Sequence, residues 1–331
     1  MHRTQVGGLA EAEVRPHVAP RALARDGHVS EALAAVEPLL APERLAGLTE
    51  EDAALLLATA LECRLARGDV GEALALGERL AAYLVRPGRT GAAAHHAAGE
   101  LCAALNEVDT AAQHYAAAGA LLTPGAADAE LVPWRVGAAL SAVRLGRRPE
   151  AAALAREQHE LAAGSPVGTA LALRTRAATE AGGDREALLR RAVETLAPLR
   201  YGRLAAQVEA DLAGLLLLAG DADAGRAEAL GLLRRAEAYA GRHQLWPLQT
   251  RVRGLLERAG EPARPGPQEV LATLTATERR ISTLAAEGLT NRAIAARLDV
   301  STKNVEWHLA HVYRKLGIRS RAGLAPTFAA V

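Results

Sequence analysis

The chain has 331 residues, half of them hydrophobic and 3% aromatic, with 39 Lys and Arg residues against 38 Asp and Glu residues. This length predicts two or three domains, and a balanced charge with 23% charged residues excludes a disordered or collagen-like chain. The longest apolar stretch, near Leu212 to Ala219, is far shorter than the ~20 residues that span a bilayer. The first 30 residues are charged throughout and hold no secretory signal, so we expect a cytoplasmic protein with no membrane partner.

Rare residue types exclude several kinds of chemistry. Two cysteines cannot build a disulfide framework or a zinc finger. The only lysines are Lys303 and Lys315, so residues 1–302 lack the lysine of a Walker-A phosphate loop. The histidines have no recognised metal spacing, and no Gly-x-Ser-x-Gly motif is present. We therefore expect no enzyme, no catalytic residue, no metal site and no cofactor.

Residues 1–260 are rich in Ala and Leu and poor in β-branched and aromatic runs, which predicts an all-helical segment. A helix-breaking turn followed by a small residue recurs along it every 36 to 41 residues. Each turn predicts a helical hairpin, because Gly caps the first helix and the small residue lets the two helices approach closely. The turn and small residues are Gly27 with Ala32, Gly68 with Ala73, Glu107 with Ala112, Gly146 with Ala151, Gly182 with Ala187, and Gly220 with Gly225.

Hairpins of this period must stack to bury their apolar stripes. The segment resembles tetratricopeptide-type repeats in a loosened, longer form, which implies a regulatory or oligomerisation domain. An irregular antiparallel helical domain is the alternative. Cys63 and Cys102 are 39 residues apart, about one repeat, and so should occupy equivalent positions on neighbouring helices. Helix axes lie ~8 to 10 Å apart, beyond the ~7 Å Cα separation of a disulfide, so we expect free thiols.

A proline- and glycine-rich connector separates this segment from a cationic one. Residues 260–267 contain three prolines and two glycines, which forbids a continuous helix. Residues 268–331 hold nine basic and five acidic side chains. We therefore predict a helical repeat domain over 1–260, a linker over 261–267 and a second domain over 268–331.

The second domain begins with three predicted helices. Thr275 and Glu278 form a capping box at the start of the first helix, which Gly288 ends. Thr290 caps the second helix, and Ser301 caps the third after a turn of about three residues. Two helices joined by so short a turn indicate a helix-turn-helix motif.

The third helix has two distinct faces. Its apolar residues recur at the spacing of one buried stripe, and its opposite face presents cations and hydrogen-bonding groups that fit the ~12 Å major groove of DNA. The stripe comprises Val305, Leu309, Val312 and Leu316. The opposite face comprises Lys303, Glu306, Trp307, Ala310, His311 and Arg314.

This segment resembles the LuxR-type (GerE-like) helix-turn-helix of bacterial transcription regulators over about 50 residues. The matching elements are Leu274-Thr-x-x-Glu278, Glu287-Gly-Leu-Thr-Asn291, Ile294-Ala295, Leu298, Ser301, Val305, His308, Tyr313-Arg-Lys-Leu-Gly317 and Arg319-Ser-Arg321. The resemblance implies that helix 301–316 is the recognition helix and that a fourth helix, starting at Ser320, supports dimerisation. The domain is then a four-helix one, and the fold class is all-α.

The resemblance also implies roles for individual residues. Phosphate contacts are expected from Thr290, Asn291, Arg314 and Lys315, and the positions nearest the base edges are Lys303, Glu306, Trp307 and Ala310. Asn304, His308 and His311 complete the candidate DNA-binding set. For Arg314 and Lys315 a solvated helix end is the alternative. For His308 we favour packing over base contact, and for Trp307 we favour DNA contact over packing on a neighbouring helix.

Some positions depart from the family pattern. Glu306 stands where many relatives have lysine, and its carboxylate would repel phosphate or accept a hydrogen bond from a cytosine amino group. Ala293 and Asn304 are milder changes. Gly323 and Pro326 weaken or bend the expected fourth helix and with it the dimer surface.

Helical repeats followed by this domain resemble the C-terminal part of the large MalT-like regulators, without their ATPase module. We expect a sequence-specific DNA-binding transcriptional regulator whose repeats sense or dock a partner. A helical-repeat interaction scaffold with a degenerate DNA-binding domain is the alternative. The expected partners are double-stranded DNA, a second copy in a homodimer, a protein, peptide or small-molecule effector on the repeats, and RNA polymerase.

Overall fold

The structure is a computed structural model that describes residues 15–123, 125–162, 164–180, 182, 184–219, 223–261, 274, 276–298, 300–316, 318 and 320–325. All regular elements within these ranges are helical, which confirms the all-α prediction. The chain divides into two compact units, Met1–Leu255 and Leu256–Val331, called here the N-terminal and C-terminal units. Of the predicted linker 261–267, all but Glu261 lies outside the described residues. No helix in the described ranges is both long and apolar enough to cross a membrane.

The N-terminal unit is built from fifteen described helices, the last of which extends into the C-terminal unit. They are α1 Val18–Arg25, α2 Val29–Val36, α3 Pro42–Leu45, α4 Glu50–Arg67, α5 Val70–Leu80, α6 Gly88–Ala104, α7 Val108–Ala120, α8 Ala126–Leu131, α9 Trp134–Arg144, α10 Arg148–Leu161, α11 Pro166–Thr179, α12 Arg185–Leu196, α13 Arg203–Ala219, α14 Asp223–Arg242 and α15 Trp246–Arg258. Short 3₁₀ turns follow α2 at Glu37–Leu39 and α5 at Ala81–Tyr83.

Helices adjacent in sequence pack as hairpins, and the hairpins stack in chain order. The pairs are α1 with α2, α4 with α5, α6 with α7, α9 with α10, α11 with α12, and α13 with α14. The contact between one hairpin and the next is made by α4 with α6, α7 with α9, α10 with α11, and α12 with α13. That these hairpins are tetratricopeptide-like repeats stays a prediction.

The predicted turns have the expected backbone geometry in three of the first four hairpins. Gly27, Gly68 and Gly146 are left-handed, with φ of +89°, +81° and +75°, and the small residues Ala32, Ala73 and Ala151 that follow them are fully buried. A left-handed residue ends a helix at low cost when it is glycine or asparagine. In the third hairpin the left-handed residue is Asn106, one position before the predicted Glu107, so that Ala111 rather than Ala112 is buried.

The later turns depart from the prediction. Ala187 is exposed and Gly225 is only half-buried, so neither brings two helices close together. The reason at Ala187 is that α11 ends at Thr179 with Glu180 extended, which makes a longer connection and shifts the buried position to Leu188. Gly220 lies outside the described residues.

The first hairpin lies against the last helices of the same unit, so the array closes on itself. The Tyr239 hydroxyl donates to the carbonyl of Gly27 at 2.7 Å, and the backbone N–H of Arg203 donates to the same carbonyl at 3.3 Å. Arg200 and Glu31 form an ion pair at 2.6 Å. A stack of hairpins does not require this contact, and the sequence analysis did not predict it.

The cysteines occupy equivalent helices of successive hairpins. Cys63 lies near the end of α4 and Cys102 near the end of α6, and both are free thiols. Burial raises the pKa of Cys63 to about 12. The Cys63 thiol is therefore protonated at neutral pH.

The C-terminal unit contains three described helices and one 3₁₀ turn. They are α16 Ala276–Ala286, α17 Asn291–Leu298, α18 Thr302–Leu316 and the turn Arg321–Gly323. One apolar core joins them, with Ile281 of α16, Ile294 of α17, Val305 of α18 and Leu324 all buried. The described residues after Ser320 form this turn and a helical continuation at Leu324 and Ala325. The rest of the expected fourth helix, including Pro326, lies outside the described residues.

Candidate nucleic-acid interface

The two helices of the predicted motif begin at the predicted caps. The Thr290 hydroxyl oxygen accepts a hydrogen bond from the N–H of Ala293, and the Ser301 hydroxyl oxygen accepts one from Asn304, both at 3.2 Å. Gly288, at φ +91°, follows the end of α16 as predicted. The capping box itself is not described, because Thr275 lies outside the described residues.

Helix α18 has the predicted buried stripe and a free opposite face. Val305, Leu309, Val312 and Leu316 are all buried in the core of the unit. The exposed candidates on α18 are Lys303, Asn304, Glu306, Trp307, Ala310, Arg314 and Lys315, and the half-buried ones are His308 and His311. Thr290 and Asn291 lie apart from these on the sequence, at the start of α17. One helix face therefore carries most of the candidate set.

Trp307 is the largest exposed group of this face. Its side chain is 57% exposed. The ring centroid of His311, one turn further along α18, lies 4.0 Å from that of Trp307, and the His311 Nδ1 lies 2.9 Å from the Trp307 carbonyl oxygen. The ring contacts found for Trp307 are thus within its own helix.

His308 lies at the edge of the buried stripe. Its ring meets Trp307 edge-on at a centroid distance of 4.9 Å. Its Nδ1 is buried, with no hydrogen-bond partner in the described part of the chain. His308 is half-buried, and the choice between a packed side chain and a base contact stays a prediction.

Lys315 is tied to the first helix of the unit. Its Nζ lies 2.6 Å from the Oε2 of Glu278, a carboxylate that is 5% exposed. We expected Glu278 in a capping box and Lys315 on a phosphate, and no pattern in the sequence predicted this ion pair. An ammonium group has three donors, so the pair does not prevent a phosphate contact. That contact stays a prediction.

Arg321 holds the start of α17 in place, which the sequence analysis also missed. Its guanidinium donates to the Asn291 Oδ1 at 2.9 Å, to the Ala285 carbonyl at 3.1 Å and to the Leu289 carbonyl. Because Asn291 accepts through Oδ1, its Nδ2 donors are suited to a phosphate oxygen. Arg321 belongs to the Arg319-Ser-Arg321 element of the family resemblance, and this was the one feature of the sequence that pointed to a role for it.

The charge on the free face is mixed. Lys303 and Arg314 lie near opposite ends of α18, and Glu306 is the acidic residue between them. Two of the exposed residues of α17, Arg292 and Arg297, are also cationic. Exposed lysine and arginine side chains attract a polyanion, and a half-buried helix with free side chains can enter a groove.

Three helices in this arrangement, the second and third joined by a short turn, define a helix-turn-helix domain. Residues 272–328 match the family described as "Bacterial regulatory proteins, luxR family". This segment is therefore a LuxR-family helix-turn-helix domain, which confirms the resemblance found in the sequence.

Relatives with similar segments are named as regulators. The Mycobacterium bovis protein Mb0914c, named as an HTH-type transcriptional regulator, is 48% identical over 65 residues, 20% of this chain and 7% of that protein. The transcriptional regulatory protein SgaR of Hyphomicrobium methylovorum is 46% identical over 52 residues, 16% of this chain and 25% of SgaR. The nitrate/nitrite response regulator protein NarL of Escherichia coli K12 is 42% identical over 52 residues, covering 24% of NarL. The chain thus spans a quarter or less of the length of these relatives.

Proposed function

We propose that this chain is a sequence-specific DNA-binding transcriptional regulator in which α18 enters the major groove. The observation that carries the proposal is the free face of α18, where Lys303, Trp307 and Arg314 are exposed while the opposite stripe is buried. The LuxR-family match and the names of the relatives support it. Cytoplasmic location and a non-enzymatic role are part of the same proposal.

The residues divide into two roles. Thr290, Asn291, Arg314 and Lys315 contact phosphates and set the position of α18, while Lys303, Asn304, Glu306, Trp307 and Ala310 face the base edges. Phosphate contacts supply affinity, and base contacts supply sequence preference. His308 and His311 orient Trp307. An exposed carboxylate at Glu306 favours a cytosine amino group, which donates a hydrogen bond.

A single domain of this size makes few phosphate contacts. We propose that two copies bind paired half-sites as a homodimer, because two domains on one duplex multiply the contacts. The N-terminal unit senses or docks an effector, and RNA polymerase is the further partner of the bound complex.

The test is a binding titration with duplexes selected from a random pool by the full chain. Affinity should fall steeply as salt rises, with a log-log slope of about 0.9 per phosphate contact. Replacing both Lys303 and Arg314 with alanine should weaken binding by at least about tenfold and flatten the slope. The matched control replaces Arg44 and Arg147, two exposed arginines of the N-terminal unit, and should bind like the wild type. Wild-type binding that does not change with salt would exclude the proposal.

An interaction scaffold with a degenerate DNA-binding domain is the second candidate. Glu306 in the middle of the free face and the Lys315 ion pair with Glu278 favour it, since both reduce the positive charge available to phosphate. The same titration decides between them. Only the regulator loses a measured DNA affinity when Lys303 and Arg314 are replaced.

A further inference from the structure

A cavity of about 120 Å³ lies inside the N-terminal unit, where the first helices of several hairpins converge. Its walls come from α1, α4, α10, α11 and α13, together with the short helix α8, which stands outside the hairpin pattern. A second cavity of about 240 Å³ shares Arg25, Val167 and Leu204 with the first. The closed array thus encloses a space that its hairpins do not fill.

Two of the three arginines that line the cavity are already paired. Arg21 donates to the Glu62 carboxylate at 2.8 Å and to the Leu131 carbonyl at 2.7 Å, and Arg25 lies 3.5 Å from Glu130. Arg203 differs from them. It is half-buried, and within the part of the chain that the structure describes its guanidinium has neither a hydrogen bond nor an ion pair. No nitrogen atom of the Arg203 side chain is both buried and without a partner, so water can reach the guanidinium. A carboxylate in the cavity would replace that water with a charge-assisted contact.

Gln158 adds an unused acceptor to the same cavity. Its side chain is 2% exposed and its Nε2 donates to the Ala129 carbonyl at 3.3 Å. Its Oε1 is buried with no hydrogen-bond partner in the described residues. Buried amide oxygens nearly always accept a hydrogen bond. The cavity therefore presents one unpaired cation, the unused Gln158 acceptor and the apolar side chains of Val167, Leu171 and Leu204. Its two carboxylates, Glu62 and Glu130, pair with Arg21 and Arg25, and the buried Glu62 Oε1 is a second acceptor without a hydrogen bond in the described residues.

We propose that this cavity binds a small organic carboxylate that also carries a hydroxyl or N–H donor. The carboxylate pairs with Arg203, whose planar guanidinium suits bidentate contact, and the donor meets the Gln158 Oε1. The apolar body lies against Val167, Leu171 and Leu204. The cavity of about 120 Å³ is smaller than the roughly 150 Å³ that holds benzene, but the neighbouring cavity of about 240 Å³ shares three of its lining residues. A ligand that extends into both spaces has on the order of six to ten non-hydrogen atoms. As the effector site of the regulator this rests on the proposed function, but the binding itself does not require DNA.

The test measures the melting temperature of the full chain, without DNA, against a panel of small carboxylates. The panel contains benzoate, 3-hydroxybenzoate and aliphatic hydroxy acids of up to about ten non-hydrogen atoms, each beside its neutral amide, and inorganic phosphate. At least one hydroxy acid should raise the melting temperature by about 3 °C or more at saturation, while its amide should not. No stabilisation by any carboxylate would overturn the proposal, as would equal stabilisation by the amide or stabilisation by phosphate alone.

Variants of the chain locate the site. Arg203→Gln should weaken the effective acid by at least about tenfold, because a charge-assisted hydrogen bond is lost. Without ligand this variant should melt within about 2 °C of the wild type, since the guanidinium has no partner to lose. Gln158→Leu should weaken hydroxy acids but not benzoate. The control Arg44→Gln should behave as the wild type. Unchanged affinity in both Arg203→Gln and Gln158→Leu would place binding elsewhere and refute the site.

Failure of acid binding and failure of DNA binding can be told apart. The variant with Lys303 and Arg314 replaced should still bind the acid, because both residues lie in the C-terminal unit. Loss of DNA binding with retained acid binding would therefore leave this site standing.

Discussion

Glu62 on α4 shows how burial and charge oppose each other at one residue. Its carboxylate lies 2.8 Å from the Arg21 guanidinium and 3.3 Å from the His96 Nδ1. Burial alone would raise its pKa, but Arg21 and His96 outweigh burial and lower the pKa from 4.5 to about 2. The carboxylate therefore stays charged in the folded protein well below pH 4.5.

This shift predicts a pH dependence of stability. A carboxylate whose pKa is lower in the folded state stabilises the protein above its ordinary pKa and loses that contribution as pH falls toward the folded value. The free energy of unfolding of the N-terminal unit should fall by on the order of 3 kcal/mol between pH 4.5 and pH 2 through Glu62. Denaturant titrations at several pH values, comparing the wild type with Glu62→Gln, measure this contribution.

Other carboxylates titrate in the same range, so the difference between wild type and variant is the quantity to compare. It should shrink as the pH falls from 4.5 to 2. The control Glu72→Gln removes an exposed carboxylate of α5 that forms no ion pair in the described part of the chain, so it should cost less stability than Glu62→Gln at pH 4.5. A constant difference for Glu62→Gln would contradict the assigned pKa.

At the scale of the element, the position of α18 depends on contacts with α16. Buried Glu278 of α16 pairs with Lys315 of α18 at 2.6 Å. Removing Lys315 takes one cation away from the buried Glu278 carboxylate, and a buried charge that loses a partner is destabilising. We therefore expect loss of Lys315 to destabilise the C-terminal unit even in the absence of DNA.

Lys315→Met should destabilise the C-terminal unit by about 1 to 3 kcal/mol. Hydrogen exchange of the amides in α16 and α18 measures this loss. Arg314→Met, the exposed neighbour on the same helix, is the control and should leave exchange unchanged. If the two variants exchange alike and both weaken DNA binding, Lys315 is a phosphate contact rather than a structural residue.

Local patterns predicted the elements that depend on local physics. The turn at Gly68 and the cap at Thr290 follow from the backbone freedom of glycine and from a hydroxyl near free N–H groups. The stripe of α18 follows from helical periodicity. The third turn was predicted at Glu107, one residue too late. The left-handed residue is the neighbouring Asn106, because asparagine adopts a left-handed conformation more readily than glutamate.

Contacts between distant elements could not be predicted in the same way. The Lys315 pair, the Arg321 contacts and the unpaired Arg203 depend on how helices meet, and no spacing in the sequence encodes them. The short helix α8, which lies in the connection between α7 and α9, was not predicted either. The exposed face of α18 could therefore be predicted from the sequence, but the contacts that hold α17 and α18 in position could not.

At the scale of the whole N-terminal unit, Gly27 is the point where the array closes. Its φ is +89°, and a Cβ added there would lie 2.2 Å from the backbone nitrogen of Arg203. Gly146 has a similar φ of +75°, but a Cβ there would meet nothing within 4 Å. Both glycines therefore need a left-handed backbone, but only Gly27 also lies in close contact with the backbone of α13.

Gly27→Ala should cost more stability than Gly146→Ala. The second change imposes only the left-handed strain of an alanine, about 1 kcal/mol, whereas the first also separates α1 and α2 from α13, for a total on the order of 3 kcal/mol. Thermal unfolding gives the two losses, and hydrogen exchange should rise at α2 and at the start of α13 in Gly27→Ala alone. Equal losses in the two variants would mean that closure contributes little.

The contact of Tyr239 and Arg203 with Gly27 has a consequence for how this unit can change in evolution. A linear stack of hairpins can gain or lose one from its middle, because each unit touches only its neighbours. A ring of hairpins has a fixed circumference, so deletion of a single internal hairpin would leave the first and last pairs unable to meet. The same geometry brings the first and last hairpins together. A circular permutation that joins these ends and opens the chain at an internal turn should therefore be tolerated.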